Sequence, residues 1–146
     1  MAQSININTG EITVLINGDE SRAIVFNPND LSFLELFCDL LEDFEKKEKE
    51  FKNKELALNA NKDVDSRGIP QNIKGKIALN REICLYMREK IDTVFGAGAS
   101  DTAFGKANTV DMFVQFFDGI APFIKSARSE RTAKYLNRAS QEDAME

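Results

Sequence analysis

The chain has 146 residues, 42% apolar and 29% charged, with a net charge of −5. That length is enough for one domain with a real core, and the acidic balance argues against a general nucleic-acid binder. There is no histidine, which removes Ser-His and Cys-His nucleophile pairs, the side chain that titrates near neutrality, and His-containing zinc sites. An enzyme would have to work with carboxylates, Lys or Tyr alone, so the composition points to a protein that is not an enzyme and carries no cofactor or metal. No stretch approaches the roughly 18 apolar residues of a membrane span, and MAQSININTG lacks the basic region and apolar core of a signal peptide. Cys38 and Cys84 both fall inside apolar helical patterns. They are expected as buried free thiols, which suits a reducing, cytoplasmic setting.

Residues 1–27 read as β. SININ precedes the turn-like Thr9-Gly10, EITVLIN comes next, and after Gly18-Asp19 comes SRAIVFN. Ile12, Val14 and Ile16 alternate with Glu11, Thr13 and Leu15, which predicts a two- or three-stranded antiparallel ribbon. Such a ribbon is marginal alone and must pack on a helix or pair with another chain.

Pro28 cannot continue a ladder, and Asp30 is a good cap for a helix starting at Leu31. From Leu31 to about residue 60, Leu34, Phe37, Leu41, Phe44 and Phe51 recur at helical spacing, predicting a long amphipathic helix. Its other faces are highly charged, with Glu45–Lys49 and Glu48–Lys52 one turn apart. The plain reading is a solvated face, and the functional one is an arm of a coiled coil or a partner-binding helix. The polar segment 61–71, with Gly68 and Pro70, reads as a linker. A second helix over 72–94 carries Ile73, Ile77, Cys84, Met87 and Ile91 on one face. Ile83, Leu85 and Tyr86 widen the stripe enough to predict burial on two sides.

Residues 95–107 include most of VFGAGASDTAFG, which has the look of a Gly-rich phosphate loop. A dinucleotide fold needs a strand before its glycines, but the preceding LYMREKIDTVF is helical. A phosphate loop of the other kind ends in Gly-Lys-Ser/Thr, and here Gly105-Lys106-Ala107 stands instead. The glycines therefore predict a structural turn. Gly96 ends the helix before it, Ser100 or Asp101 caps a short turn, Gly105 closes it, and Phe95 and Phe104 anchor it.

A third helix over 108–138, capped by Asn108 or Thr109, presents Val110, Phe113, Phe117, Ile120 and Ile124, with Phe116 and Phe123 alongside. Pro122 is expected to kink or split it near Gly119, and 139–146 reads as a frayed tail. Lys125, Arg128, Arg131, Lys134 and Arg138 form a basic stripe beside Tyr135. It suits the cationic end of a helix or intermolecular salt bridges better than nucleic acid. Glu42/Asp43 and Glu142/Asp143 lie among lysines or in the tail, as solvated surface. Asp63 and Asp65 lack the spacing of a calcium loop, with Lys74 where its closing Glu would stand.

What remains is an apolar excess. Eleven Phe and no Trp lie largely on long helices whose stripes are wide for so thin a sheet, a surplus commonly used in interfaces. The order of parts also resembles a known group. FNPND is succeeded by FLELFCDLLEDFEKKEKEF, then IDTVFGAGASDTAFG, then DMFVQFFDGIAPFIKSARSERTAKY. Together, over roughly residues 15–135, these resemble the tail assembly chaperone-like proteins of phages and prophages of Gram-positive bacteria. The resemblance implies a largely helical, self-associating, non-catalytic protein of the bacterial host cell cytoplasm. Proteins of that group are thought to coat the helical tape measure protein while the tail tube assembles, and none of their residues is catalytic.

The expected fold is thus α+β, mainly α: a β ribbon packed on about three long amphipathic helices in one domain over 1–146. The candidate partner-binding residues are Phe113, Phe116, Phe117, Ile120, Phe123 and Ile124, with Phe37, Leu41, Phe44 and Phe51, several of which must also serve as core. A phage-encoded inhibitor of a host defence protein, working by charge mimicry, is the alternative. Against it, the acids are interleaved with lysines rather than clustered.

Overall fold

The computed structural model describes the backbone of residues 2–145 and the side chains of residues 2–127. The architecture is α+β and mainly α: a two-stranded antiparallel sheet and then four helices. Strands β1 (Ile12–Ile16) and β2 (Asp19–Phe26) are joined by Asn17-Gly18, whose φ values of 55° and 71° suit the tight turn that matches strand twist. Ile16 pairs with Asp19 but Leu15 pairs with Ala23, so β2 bulges over Glu20–Arg22. Asp19 accepts the Ser21 amide at 2.9 Å and the Ser21 hydroxyl at 2.6 Å, which folds the bulge onto itself. The SININ segment adds no third strand. The carbonyls of Thr9 and Gly10 are taken instead by the side-chain amides of Asn27 and Asn29.

Pro28, itself buried, ends the sheet, and the Asp30 carboxylate accepts the Ser32 amide at 2.9 Å to start helix α1, Leu31–Ala60. At its other end the Asn72 side chain donates to the Leu58 and Asn61 carbonyls, satisfying groups a helix end leaves open. Helix α2 spans Ile73–Phe95, α3 Ala99–Phe104 and α4 Val110–Met145. The α1–α2 hairpin closes tightly at Gly75, where an added Cβ would lie 2.5 Å from Leu58 Cδ2.

The core lies where β2, the first half of α1, the second half of α2, α3 and α4 converge. Phe95 is at its centre, with ring centroids 5.4 Å from Phe26, 5.4 Å from Phe33 and 5.2 Å from Phe116, all steeply inclined. That edge-to-face geometry adds to what burial of the rings supplies. Beyond Phe44 on α1 and before Ile83 on α2 the hairpin leaves this core, with Phe51 and Leu79 as its own small buried layer.

Three expectations are corrected, and at Pro122 one of two alternatives is excluded. Cys84 is buried but Cys38 is exposed, because Phe37 and Leu40, not Cys38, point from that turn into the core. Helix α2 is not buried on two sides. Leu85 is exposed on the side of α2 opposite the core, and Ile73 and Ile77 are exposed on the projecting half of the hairpin. Pro122 does not split α4, which is helical on both sides of it. Proline removes one amide donor, while buried Ile120, Ile124 and Ala127 hold the flanking turns in place. The helix also continues through Met145 rather than fraying near 138, since ASQEDAM contains no Gly or Pro to stop it. The side chains of Arg128, Arg131, Lys134, Tyr135 and Arg138 lie outside the described residues.

Candidate functional site

The glycine-rich segment is a clasp between elements. Gly96 ends α2 at φ 112° and Gly98 precedes α3 at φ 84°, conformations that side chains strongly disfavour. Gly98, not Ser100 or Asp101, is the cap residue of α3, and it has no side chain with which to cap. The Ser100 amide instead donates to Asp92 of α2 at 2.8 Å, and Ser100 is 2% exposed. A backbone donor that a phosphate loop would offer to an anion is therefore already used by a carboxylate of the protein itself.

Two arginines complete the clasp. The β2 bulge aims Arg22 at the end of α3, where Nε donates to the Thr102 carbonyl at 3.1 Å and Nη2 to that of Ala103. From α2, Arg88 donates to Asp101 at 3.2 Å, to the Gly105 carbonyl at 2.9 Å, and to the Ala107 carbonyl. Its guanidinium also lies 5.7 Å from the centre of the Phe104 ring. Cationic donors on helix-terminal carbonyls are favourable on both hydrogen-bond and dipole grounds. No sequence pattern singles out Arg22, Arg88 or Asp92, because residues that fasten a loop from a distance carry no local signal.

The apolar candidates divide sharply. Phe113, Phe116, Ile120 and Ile124 of α4 and Phe51 of α1 are 2–9% exposed and belong to the interior. Phe37, Phe44 and Phe117 are half-buried, while Leu41 at 49% and Phe123 at 42% face outward. The structure brings Leu41, Phe44, Phe113 and Phe117 together in one groove of about 270 Å³ between α1 and the start of α4. Met87 and Ile83 of α2 form its floor. Val110 and Val114, 40% and 53% exposed, form the α4 wall. Phe123 lies away from this groove, beyond Pro122.

The groove runs on into a wider trough of about 560 Å³ along the projecting hairpin, the two sharing Phe44, Ile83 and Val110. Glu48, Lys52, Glu55 and Lys76 line the trough. Glu48 and Lys52 pair at 3.5 Å, so part of this rim charge is neutralised locally rather than aimed at a ligand. Val114 is a groove residue that the sequence-based expectation missed. Its spacing of four from Val110 and three from Phe117 is the signal that α4 carries a second apolar stripe beside the buried one.

The α1–α2 seam is fixed by ion pairs on both sides of Phe51. Lys90 meets Asp43 at 3.1 Å and Lys54 meets Glu82 at 2.9 Å. Each lysine is held above its ordinary pKa by the carboxylate that accepts its hydrogen bond. Tyr86 lies between them with Lys47 and Lys90 each 5.7 Å from its ring centre, and burial pushes its hydroxyl upward. Asp63 and Asp65 build a turn in which Asp65 accepts the Arg67 and Ile69 amides. No group of three or more potential metal ligands occurs among the described residues. Among them, no helix is long and apolar enough to cross a membrane.

A family model described as a family of unknown function (DUF6673) matches residues 19–145, and the chain belongs to that family. No curated protein and no solved structure matches it.

Proposed function

We propose that the chain is a non-catalytic assembly chaperone-like protein that shields apolar helical segments of a partner. The resemblance to phage tail assembly chaperones makes a tape measure-like protein the partner of first choice. The supporting observation is the groove between α1 and α4. Leu41, Val110 and Val114 are left open to water over a floor of Ile83 and Met87, with Phe44 and Phe117 half-covered. A groove of apolar walls with a charged continuation is the shape that accepts one face of an amphipathic helix, with anchors spaced three, four and seven residues apart. Such a contact leaves the partner intact and needs no titrating group.

Isothermal titration with an amphipathic helical peptide from a tape measure-like protein, at low and high salt, tests the reading. The expected result is affinity that persists at high salt, since apolar burial is not screened. Affinity lost at moderate salt would favour charge mimicry, and no binding at either salt would remove the chaperone reading.

A further inference from the structure

A second surface is formed by the segment ahead of β1 and the open edge of β1 itself. Ile5 and Ile7 are 83% and 79% exposed. They alternate with Ser4, Asn6 and Asn8, the period of a strand with one apolar face. Residues 2–7 make no hydrogen bond within the described residues. Strand β1 has β2 as its single partner among the described residues, so the backbone groups of its outer edge have no ladder. That edge carries none of the usual protection: Ile12–Ile16 contains no charge, no proline and no bulge of its own. Residues 2–9 are uncharged as well, so no like-charge repulsion opposes the two meeting.

The segment is kept from folding back onto its own β1. Asn27 donates to the Thr9 carbonyl at 2.6 Å and Asn29 to the Gly10 carbonyl at 3.4 Å, while the Gly10 amide is taken by Asn8. Gly10 is wedged so close to Asn29 that a Cβ would lie 2.5 Å from Nδ2. Thr9 and Gly10 are thus fastened to the end of β2, and the tight turn at Thr9-Gly10 that would lay SININ along β1 is not available.

We infer that two copies of this chain exchange these segments, each adding residues 4–8 as a third strand to the other's β1 edge. Each copy has one donor segment and one acceptor edge, so a reciprocal exchange leaves neither unused and closes as a two-fold pair. The added strand covers backbone groups that one copy alone leaves open, and it brings Ile5 and Ile7 beside the apolar residues of β1. This surface is distinct from the α1–α4 groove and does not depend on it.

Size exclusion with light scattering on the full chain tests the exchange, comparing wild type with Ile5→Ser/Ile7→Ser and with Thr13→Lys on the acceptor strand. Both sites are exposed, and circular dichroism checks that folding is unchanged. At about 100 µM the wild type is expected at twice 16.4 kDa, and the double variant at 16.4 kDa with self-association weakened roughly 100-fold. Thr13→Lys should act in the same direction, and Leu41→Asp in the groove should leave the mass unchanged. A wild type that stays at 16.4 kDa overturns the inference. So does an oligomer whose mass the Ile5/Ile7 variant leaves untouched, including one that only Leu41→Asp dissociates.

Discussion

Arg22 and Thr102 are 80 residues apart in sequence, yet the Arg22 Nε donates to the Thr102 carbonyl at 3.1 Å. The bond joins the bulge of the hairpin to the last turn of α3, and with the second bond to Ala103 it closes the fold around the Phe95 cluster. Charged hydrogen bonds contribute about 1.5–3 kcal/mol when partly buried. Arg22→Leu is expected to lower Tm by about 4–10 °C, and Arg22→Lys to recover only part of it, since one ammonium cannot reproduce the two-pronged geometry. Differential scanning calorimetry of the three proteins checks this.

Arg88 holds the Gly105 and Ala107 carbonyls from α2. Its removal should loosen the connection between α3 and α4 without unfolding the core. For Arg88→Ala, hydrogen exchange at residues 104–109 is expected to speed up about tenfold or more, corresponding to loss of at least ~1.4 kcal/mol of local stability. The amides around Phe33 and Ile91 should keep wild-type rates.

Within α4, Phe113 and Val114 are neighbours in sequence with opposite roles. Phe113 is 3% exposed and Val114 53%. Phe113→Ala is expected to cost about 3–5 kcal/mol through loss of buried ring and the cavity left behind. Val114→Asp should change stability by no more than about 0.5 kcal/mol while abolishing peptide binding in the groove. Urea unfolding and titration of the two variants separate core from surface.

The pH dependence of stability should be absent around neutrality and set in on the alkaline side. With no histidine in the chain, no side chain of ordinary pKa titrates between about pH 6 and 8. On the alkaline side, Cys84 and Tyr86 are raised by burial, and Lys90 by its hydrogen bond to Asp43. A group raised in the folded state contributes stability that is whole below its unfolded pKa and is lost as pH climbs through the folded value. Stability is therefore expected to be flat from about pH 6 to 8. It should begin to fall above about 8.5 as unfolded-state thiol ionises, and fall further above about 10 with Tyr86 and Lys90. Cys84→Ala should delay the first part of the decline, as read by urea midpoints across pH.

Much of the fold was legible because its signals are local. Gly18-Asp19 between β-branched runs, one residue past the actual Asn17-Gly18 turn, Pro28 with Asp30 two residues on, and the three- and four-residue spacing after Leu31 each act within one turn of chain. The glycine segment was legible for the same reason: helical residues before it and Ala107 after Lys106 exclude a phosphate loop. What the sequence did not display was partnership at a distance. Whether Phe113 or Phe117 is covered depends on where α1 lies, and no spacing within α4 encodes that. Cys38 sits in an apolar stripe but on its solvent edge, a matter of some tens of degrees around the helix that a stripe does not resolve. The SININ segment has a strand's alternation but not a strand's place, because Asn27 and Asn29, farther along the chain, hold its base.

Whether the α1–α4 groove holds a partner's apolar helix is decided by the aggregation of a tape measure-like helical segment, monitored by light scattering. Wild-type protein at equal molar amount should suppress the scattering, and Leu41→Asp/Val114→Asp, folded to the same stability, should not. Equal suppression by both proteins, or none by the wild type, would contradict the assignment of that groove as the surface that shields a partner.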